Sequence, residues 1–97
     1  MGKENRLVPR TRKRLRVTVG LSPAFTSDIS PGGFCIETMK TQKPGTGIAG
    51  KIRVGELDVE FSGTVAWARA GDLRMNQRGR MGVRLTQVPQ EYLSLFS

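Results

Sequence analysis

Apolar and polar residues alternate along most of this chain, with the period of two that is typical of β-strands with one buried face. The alternation is clearest over residues 57–67, where the apolar side chains occupy odd positions: Leu57, Val59, Phe61, Val65 and Trp67. Shorter runs of the same kind predict further strands over residues 15–21, 25–29, 34–39, 48–54 and 80–86. Six short strands therefore account for most of the sequence.

Glycine and proline clusters separate these strands and predict tight turns between them. Gly63 interrupts the longest run and predicts a bulge or a sharp bend. Pro89 opens a short helix in which Tyr92, Leu93 and Phe96 share one face. A chain this short is too small for two large sheets, and closure into a barrel removes exposed edges. The predicted fold is all-β, a small six-stranded antiparallel barrel with a short C-terminal helix.

The 97 residues correspond to one domain, and the charge within it is uneven. The chain has 16 lysines and arginines against 8 acids, a formal net charge of +8. Seven of the cations but only one of the acids precede residue 17. Residues 1–9 lack an apolar period and are interpreted as a flexible basic leader, with the barrel domain over residues 10–97. Such a basic block indicates an anionic partner.

Two residue counts narrow the functional classes. Cys35 is the only cysteine, which excludes an internal disulfide and a thiolate metal cluster within one chain. The absence of histidine excludes a histidine-dependent triad, general base or metal ligand. We therefore expect a binding protein with no enzymatic activity, no metal and no cofactor. No apolar run is long enough to cross a bilayer, so we expect a cytoplasmic location without membrane insertion.

Two motifs carry the candidate chemistry. In the N-terminal basic run, pairs of arginines four residues apart occur in three registers: Arg6/Arg10, Arg10/Arg14 and Arg12/Arg16. They are followed by an acid, a hydroxyl and a glycine in the order Asp28-x-Ser30-x-x-Gly33. An arginine fork binds guanine O6 and N7, stacks on a base or holds a phosphate. A carboxylate accepts from guanine N1–H and N2–H, which makes Asp28 a candidate reader of a guanine edge.

The residues of the second motif that follow Asp28 have simpler interpretations. The Ser30 hydroxyl is expected to bond to the ligand or to its own turn. Gly33 is expected to permit a positive φ and a close backbone approach that a Cβ would block.

The order of these motifs, together with the barrel pattern, resembles the PilZ domain family of bacterial receptors for cyclic di-GMP. The resemblance implies a six-stranded barrel with a C-terminal helix, an arginine pair at the entrance to the first strand and the aspartate turn on the barrel surface. It implies ligand contacts from Arg10, Arg14, Asp28, Ser30 and Gly33. The pair Arg10/Arg14 is favoured because the strand alternation begins directly after it, and Arg12 and Arg16 are then auxiliary contacts.

Two further groups of residues have competing interpretations. Trp67 lies in phase with the buried stripe, which favours core packing, with ligand stacking as an auxiliary possibility. The later arginines are interpreted as a solvated rim or as an extension of the anion-attracting field: Arg74, Arg78, Arg80 and Arg84.

The predicted function is that of a cyclic di-GMP receptor and adaptor. Its N-terminal arginine segment, residues 10–16, orders on the ligand and transmits the signal to a protein effector that the sequence does not identify. One alternative is a small basic barrel that binds nucleic acid without specificity through phosphate contacts. The other is a degenerate PilZ adaptor that keeps the fold without the ligand.

Overall fold

The computed structural model describes residues 10–96, and the predicted leader at residues 1–9 lies outside them. The strands of the described chain are β1 (Thr11–Arg12), β2 (Arg16–Val19), β3 (Ser22–Ser30), β4 (Gly33–Thr38), β5 (Gly47–Val54), β6 (Leu57–Arg69) and β7 (Gly79–Gln87). A 3-10 turn at Leu73–Met75 lies between β6 and β7. The chain ends in α1 (Gln90–Leu93) and a 3-10 turn at Ser94–Phe96.

The strands close into a barrel in the order β3, β2, β5, β6, β7, β4, with β4 pairing back onto β3. All pairings are antiparallel. The two-residue β1 continues alongside β3 beyond β2, since Arg12 lies opposite Asp28 and Arg16 lies opposite Phe25. Strands β1 and β2 therefore act as one interrupted first strand. The predicted six-stranded antiparallel barrel with a short C-terminal helix is confirmed.

Thr26 bridges the interruption in that first strand. Its Oγ1 accepts from the Leu15 amide at 2.7 Å, and its hydroxyl donates to the Lys13 carbonyl at 2.5 Å. The Thr26 amide in turn donates to the Leu15 carbonyl at 2.9 Å. Because Thr26 is buried, these bonds form away from water and replace the backbone ladder across the break. They fix the direction in which the arginine segment leaves the barrel.

The interior is filled by alternate residues of the strands, as a closed sheet requires. Its fully buried side chains come from strands around the barrel: Val17, Ile29, Ile36, Ile52, Val65 and Met81. Tyr92 from α1 joins them and is fully buried. Its ring meets Phe34 and Phe96 edge to face, with centroids 6.0 and 5.4 Å apart. The C-terminal helix therefore packs into the barrel core.

Bulges decide which residues face outward. In β3 the register shifts between Thr26 and Asp28, so that Thr26 and Ile29 point inward while Phe25 and Asp28 lie on the outer face. In β6 a shift at Gly63 matches the predicted bulge. A second shift in β6 precedes Trp67 and turns it outward.

The expectation that Trp67 packs in the core is wrong, because Trp67 is 44% exposed. A strict period of two would place Trp67 on the same buried face as Val65. The bulge between them adds one residue to the strand, so Trp67 lies on the opposite, outer face.

Some residues at the ends of the predicted strands and helix are exposed, although the sequence pattern places them on a buried face. Leu21 lies in a two-residue turn after Gly20, whose φ is 61°, and is 99% exposed. Leu57 begins β6 beside the Gly55 turn and is exposed, and Leu93 lies outside the buried face occupied by Tyr92. Turn geometry overrides the period of two at Leu21 and Leu57. Within residues 10–96, no helix is long and apolar enough to span a membrane.

Candidate functional site

Asp28 lies on the outer face of β3 and meets the arginine segment directly. Its Oδ1 accepts from Arg10 Nη2 at 2.7 Å and from Arg10 Nε at 3.1 Å. The side chain of Asp28 is 29% exposed and that of Arg10 is 57% exposed, so both remain accessible to a ligand. The barrel therefore brings the predicted acid and the root of the arginine segment together on one surface.

A cavity of about 460 Å³ opens beside this ion pair. Its lining combines four cations, two acids and two hydroxyls: Arg12, Lys13, Arg14, Arg80, Asp28, Glu37, Thr26 and Ser27. The excess of positive charge attracts an anion, while the carboxylates and hydroxyls accept or donate hydrogen bonds at fixed points. The surface is suited to an anionic ligand that also presents hydrogen-bonding edges.

The arginines do not all contribute equally to this cavity. The Arg14 guanidinium lies over the ring of Phe25, with Cζ 4.0 Å from the ring centroid. This cation–π contact orients Arg14 beside the cavity. Arg12 lies opposite Asp28 in the β1–β3 ladder and also lines the cavity. Arg16 of β2 pairs with Phe25 of β3 and lies outside the cavity lining.

The turn that follows Asp28 is held by its own contacts. The Ser30 hydroxyl donates to the Gly33 carbonyl at 3.2 Å, so it bonds within the turn. A Cβ on Gly33 would lie 2.1 Å from the Val83 carbonyl oxygen in β7. The φ of Gly33 is not positive, so that part of the expectation is wrong. Glycine is required because the turn packs against the backbone of β7.

Tyr92 joins the C-terminal helix to the same turn. Its hydroxyl oxygen lies 2.5 Å from the Ser30 carbonyl oxygen and 2.8 Å from that of Gly33, and donates to this pair. The sequence places Tyr92 on the apolar face of the helix but gives no partner for its hydroxyl. A buried tyrosine hydroxyl generally has a hydrogen-bond acceptor, so the sequence indicates that Tyr92 has such a partner. It does not indicate which residue the partner is.

We predict that Tyr92 resists ionisation in the folded protein. Burial raises the pKa of its phenol far above the ordinary value near 10, and the Asp28 carboxylate acts in the same direction. The neutral phenol therefore stabilises the fold fully below pH about 10, and this stability is lost as the pH rises above the unfolded pKa. Tyr92 is the only tyrosine, so phenolate absorbance during an alkaline titration reports it alone. Absorbance should rise together with loss of β-sheet circular dichroism, and a transition near pH 10 in the folded protein would contradict the prediction.

Trp67 lies at the end of a row of paired strand residues that starts at Asp28. Along this row Asp28 pairs with Cys35, Cys35 with Gly82, and Gly82 with Trp67. A Cβ on Gly82 would lie 2.2 Å from Trp67 Nε1, so the indole rests directly on this glycine. Three strand spacings separate the backbones of Asp28 and Trp67, about 14 Å. Trp67 is therefore on the same outer surface as the candidate site.

Glu37 and Arg80 are two lining residues that the motifs did not identify. They lie opposite each other on β4 and β7, and Arg80 Nη2 contacts Glu37 Oε2 at 3.5 Å. Phe25, which supports Arg14, was likewise expected only as a strand residue. Their placement depends on strand register and on the bulge at Ser27, which local spacing does not reveal.

Comparison with known proteins gives a consistent picture. The family model described as the PilZ domain matches residues 3–96. No curated protein sequence matches the chain. The solved structure of the Bacillus subtilis inhibitor of motility, MotI/DgrA, is similar with a TM-score of 0.77 at 17% sequence identity. The alignment covers 96% of this chain and 48% of that chain, so this chain spans about half the length of that structure, and the likeness shows a shared fold.

Proposed function

The chain belongs to the PilZ domain family, and on that premise we propose that it is a receptor and adaptor for cyclic di-GMP. PilZ domains are binding domains, and the proposed role involves no catalysis. The ligand would lie on the outer face of the barrel, over the cavity next to Asp28.

The observation that carries this proposal is the meeting of Asp28 with the arginine segment at the rim of the cavity. The Asp28 carboxylate would accept from N1–H and N2–H of one guanine, two parallel donors that suit a carboxylate. Arg10 and Arg14 would hold phosphates and bases by charge-assisted hydrogen bonds and stacking. Arg12 lines the same cavity and would add a contact.

The remaining predicted residues have different proposed roles. Ser30 and Gly33 would shape the turn, since the Ser30 hydroxyl bonds to Gly33 within it. Arg16 lies outside the cavity lining and would act through the field of positive charge. Trp67 would contact only a ligand that extends across β4 and β7 toward β6.

Signal transmission would follow from the position of the arginine segment. Binding would hold the exposed arginine side chains of this segment against the ligand, at an entropic cost that the new charge-assisted contacts must exceed. The surface formed by the closed segment would differ from that of the free protein. A protein effector that binds this new surface would receive the signal.

Calorimetry tests the proposal with three ligands: cyclic di-GMP, GTP and a short single-stranded oligonucleotide. We expect cyclic di-GMP to bind at least about tenfold more tightly than GTP, because it has a second guanine on which an arginine can stack while Asp28 accepts from the first. Increasing salt should weaken this binding only moderately, since hydrogen bonds to the base do not depend on counterion release.

Other outcomes would favour the alternatives. Similar affinity for all three ligands, with a steep loss in salt, would indicate a non-specific nucleic-acid-binding barrel. Absence of binding to every ligand, in a protein shown to be folded by circular dichroism, would indicate an adaptor without a nucleotide ligand. Either result would overturn the proposal.

A further inference from the structure

The loop between β6 and β7 is built as a rigid projection from the barrel. Asp72 and Gln77 exchange backbone hydrogen bonds of 2.9 Å in both directions, and Asp72 Oδ1 accepts from the Arg74 amide at 2.9 Å. At the neck, a Cβ on Gly71 would lie 2.1 Å from the Gln77 carbonyl oxygen, so the two sides of the loop pack closely. A surface held in this way loses little conformational entropy when it binds a partner.

The tip of this loop exposes two large apolar side chains. Leu73 is 75% exposed and Met75 is 74% exposed, and they are separated by a single residue. Isolated exposed apolar residues are common on protein surfaces, but two together on a rigid projection indicate an interaction site.

Arginines surround this apolar tip. Arg69, Arg74 and Arg78 are exposed, whereas Asp72 is the only acid between residues 70 and 78. A cavity of about 760 Å³ lies beside the loop. It is lined by Glu37, Met39, Arg69, Asn76, Gln77, Arg78, Gly79 and Arg80. The loop and the cavity together form a cationic surface with an apolar tip, which we call the loop surface.

We propose that the loop surface docks a protein segment in which acidic residues flank a large apolar side chain. The apolar side chain would pack against Leu73 and Met75, and the flanking carboxylates would bind Arg74 and Arg78. This docking site is separate from the surface that the closed arginine segment is proposed to form, and it goes beyond the proposed receptor function. It does not depend on cyclic di-GMP binding, and the test is done without nucleotide.

The chemistry of the surface favours a protein over an anionic lipid bilayer. Every cation from residue 66 to residue 87 is an arginine. The arginine guanidinium binds a carboxylate through two hydrogen bonds, whereas lysine and arginine bind anionic lipid headgroups equally well. Arginine and methionine are also enriched at protein interfaces. The cavity beside the loop offers the Asn76 and Gln77 amides as directional partners, which suit a fixed peptide better than mobile headgroups.

Peptide display tests the inference. Random dodecapeptides are selected on the immobilised full chain, with counter-selection on the variant Leu73→Ser/Met75→Ser/Arg74→Glu. We expect the retained peptides to be enriched in aspartate and glutamate flanking leucine, methionine or phenylalanine. Failure to recover peptides that depend on the loop, or recovery without acidic enrichment, would overturn the inference.

Affinities of one selected peptide provide the quantitative arm. We expect the affinity for this peptide to fall by about tenfold or more in each of two double variants, Leu73→Ser/Met75→Ser and Arg74→Glu/Arg78→Glu. Leu21→Ser is the matched control, because Leu21 is 99% exposed at another hairpin, and it should leave the affinity unchanged. All variants should keep the melting temperature, since these side chains are exposed. Two outcomes would contradict docking of an acidic segment. One is that either double variant binds the peptide as tightly as the unmodified protein does, and the other is that vesicles of anionic lipid bind the full chain while no peptide does.

Discussion

Replacement of Asp28 by alanine is expected to weaken cyclic di-GMP binding by about 100-fold, with little effect on the barrel. The carboxylate is the proposed acceptor for two guanine donors, and its removal leaves those donors unpaired in the complex. Hydrogen bonds to charged groups contribute about 1.5–3 kcal/mol, and 100-fold corresponds to about 2.7 kcal/mol. Asp28 lies on the outer face and is 29% exposed, so alanine opens no cavity in the core. Calorimetry with cyclic di-GMP measures the effect.

Asp58 provides a matched control for this variant. It forms an exposed ion pair with Arg53, with Arg53 Nη1 3.2 Å from Asp58 Oδ1, on the hairpin that joins β5 to β6. Asp58→Ala removes the same charge from the protein but should leave the affinity within about twofold. Asp28→Asn, which keeps the shape but has a single acceptor oxygen, should retain little of the binding. Equal losses of affinity in Asp28→Ala and Asp58→Ala would show that the net charge of the protein determines the affinity, and that Asp28 is not a specific acceptor for the guanine.

Gly33→Ala is expected to destabilise the protein by about 3 kcal/mol, which lowers the melting temperature by roughly 15 °C in a domain of this size. The new Cβ would lie 2.1 Å from the Val83 carbonyl oxygen, and that atom belongs to the β7 backbone, which cannot move without breaking the barrel ladder. The turn that carries Ser30 would be pushed away from Tyr92. Thermal denaturation followed by circular dichroism measures the change.

Gly32→Ala is the control in the same turn. A Cβ on Gly32 would meet no atom within 4 Å, and its φ is not positive. Alanine there should leave stability unchanged or raise it by about 0.5 kcal/mol through loss of entropy in the unfolded chain. A melting temperature for Gly33→Ala close to that of Gly32→Ala would show that β7 tolerates the displacement.

Much of the fold follows from the sequence because the barrel depends on a simple alternation. Side chains that point to opposite faces of a strand give a period of two, and closure of short antiparallel strands gives the barrel. The part of the candidate site that lies within one stretch of sequence could also be predicted from local motifs. Asp28, Ser30 and Gly33 belong to one strand and its turn, and Arg10 reaches Asp28 because β1 pairs with β3.

The features that the sequence did not predict depend on long-range register. The bulge before Asp28 moves Phe25 to the outer face, where it supports Arg14, and the bulge before Trp67 turns that residue outward. A bulge depends on the partner strand as much as on the bulged residues, so a local pattern seldom predicts it. The contact of Glu37 with Arg80 joins residues that are far apart in the chain and has no local signature.

The position of Trp67 provides an optical reporter within the protein. It is the only tryptophan of the chain, it is half exposed, and it rests on Gly82 in the row of paired residues that begins at Asp28. Fluorescence from this single indole is therefore emitted about 14 Å from the Asp28 backbone, on the surface where the nucleotide is proposed to lie. Binding experiments can use this emission without a chemical label that would alter the charge of a small basic barrel.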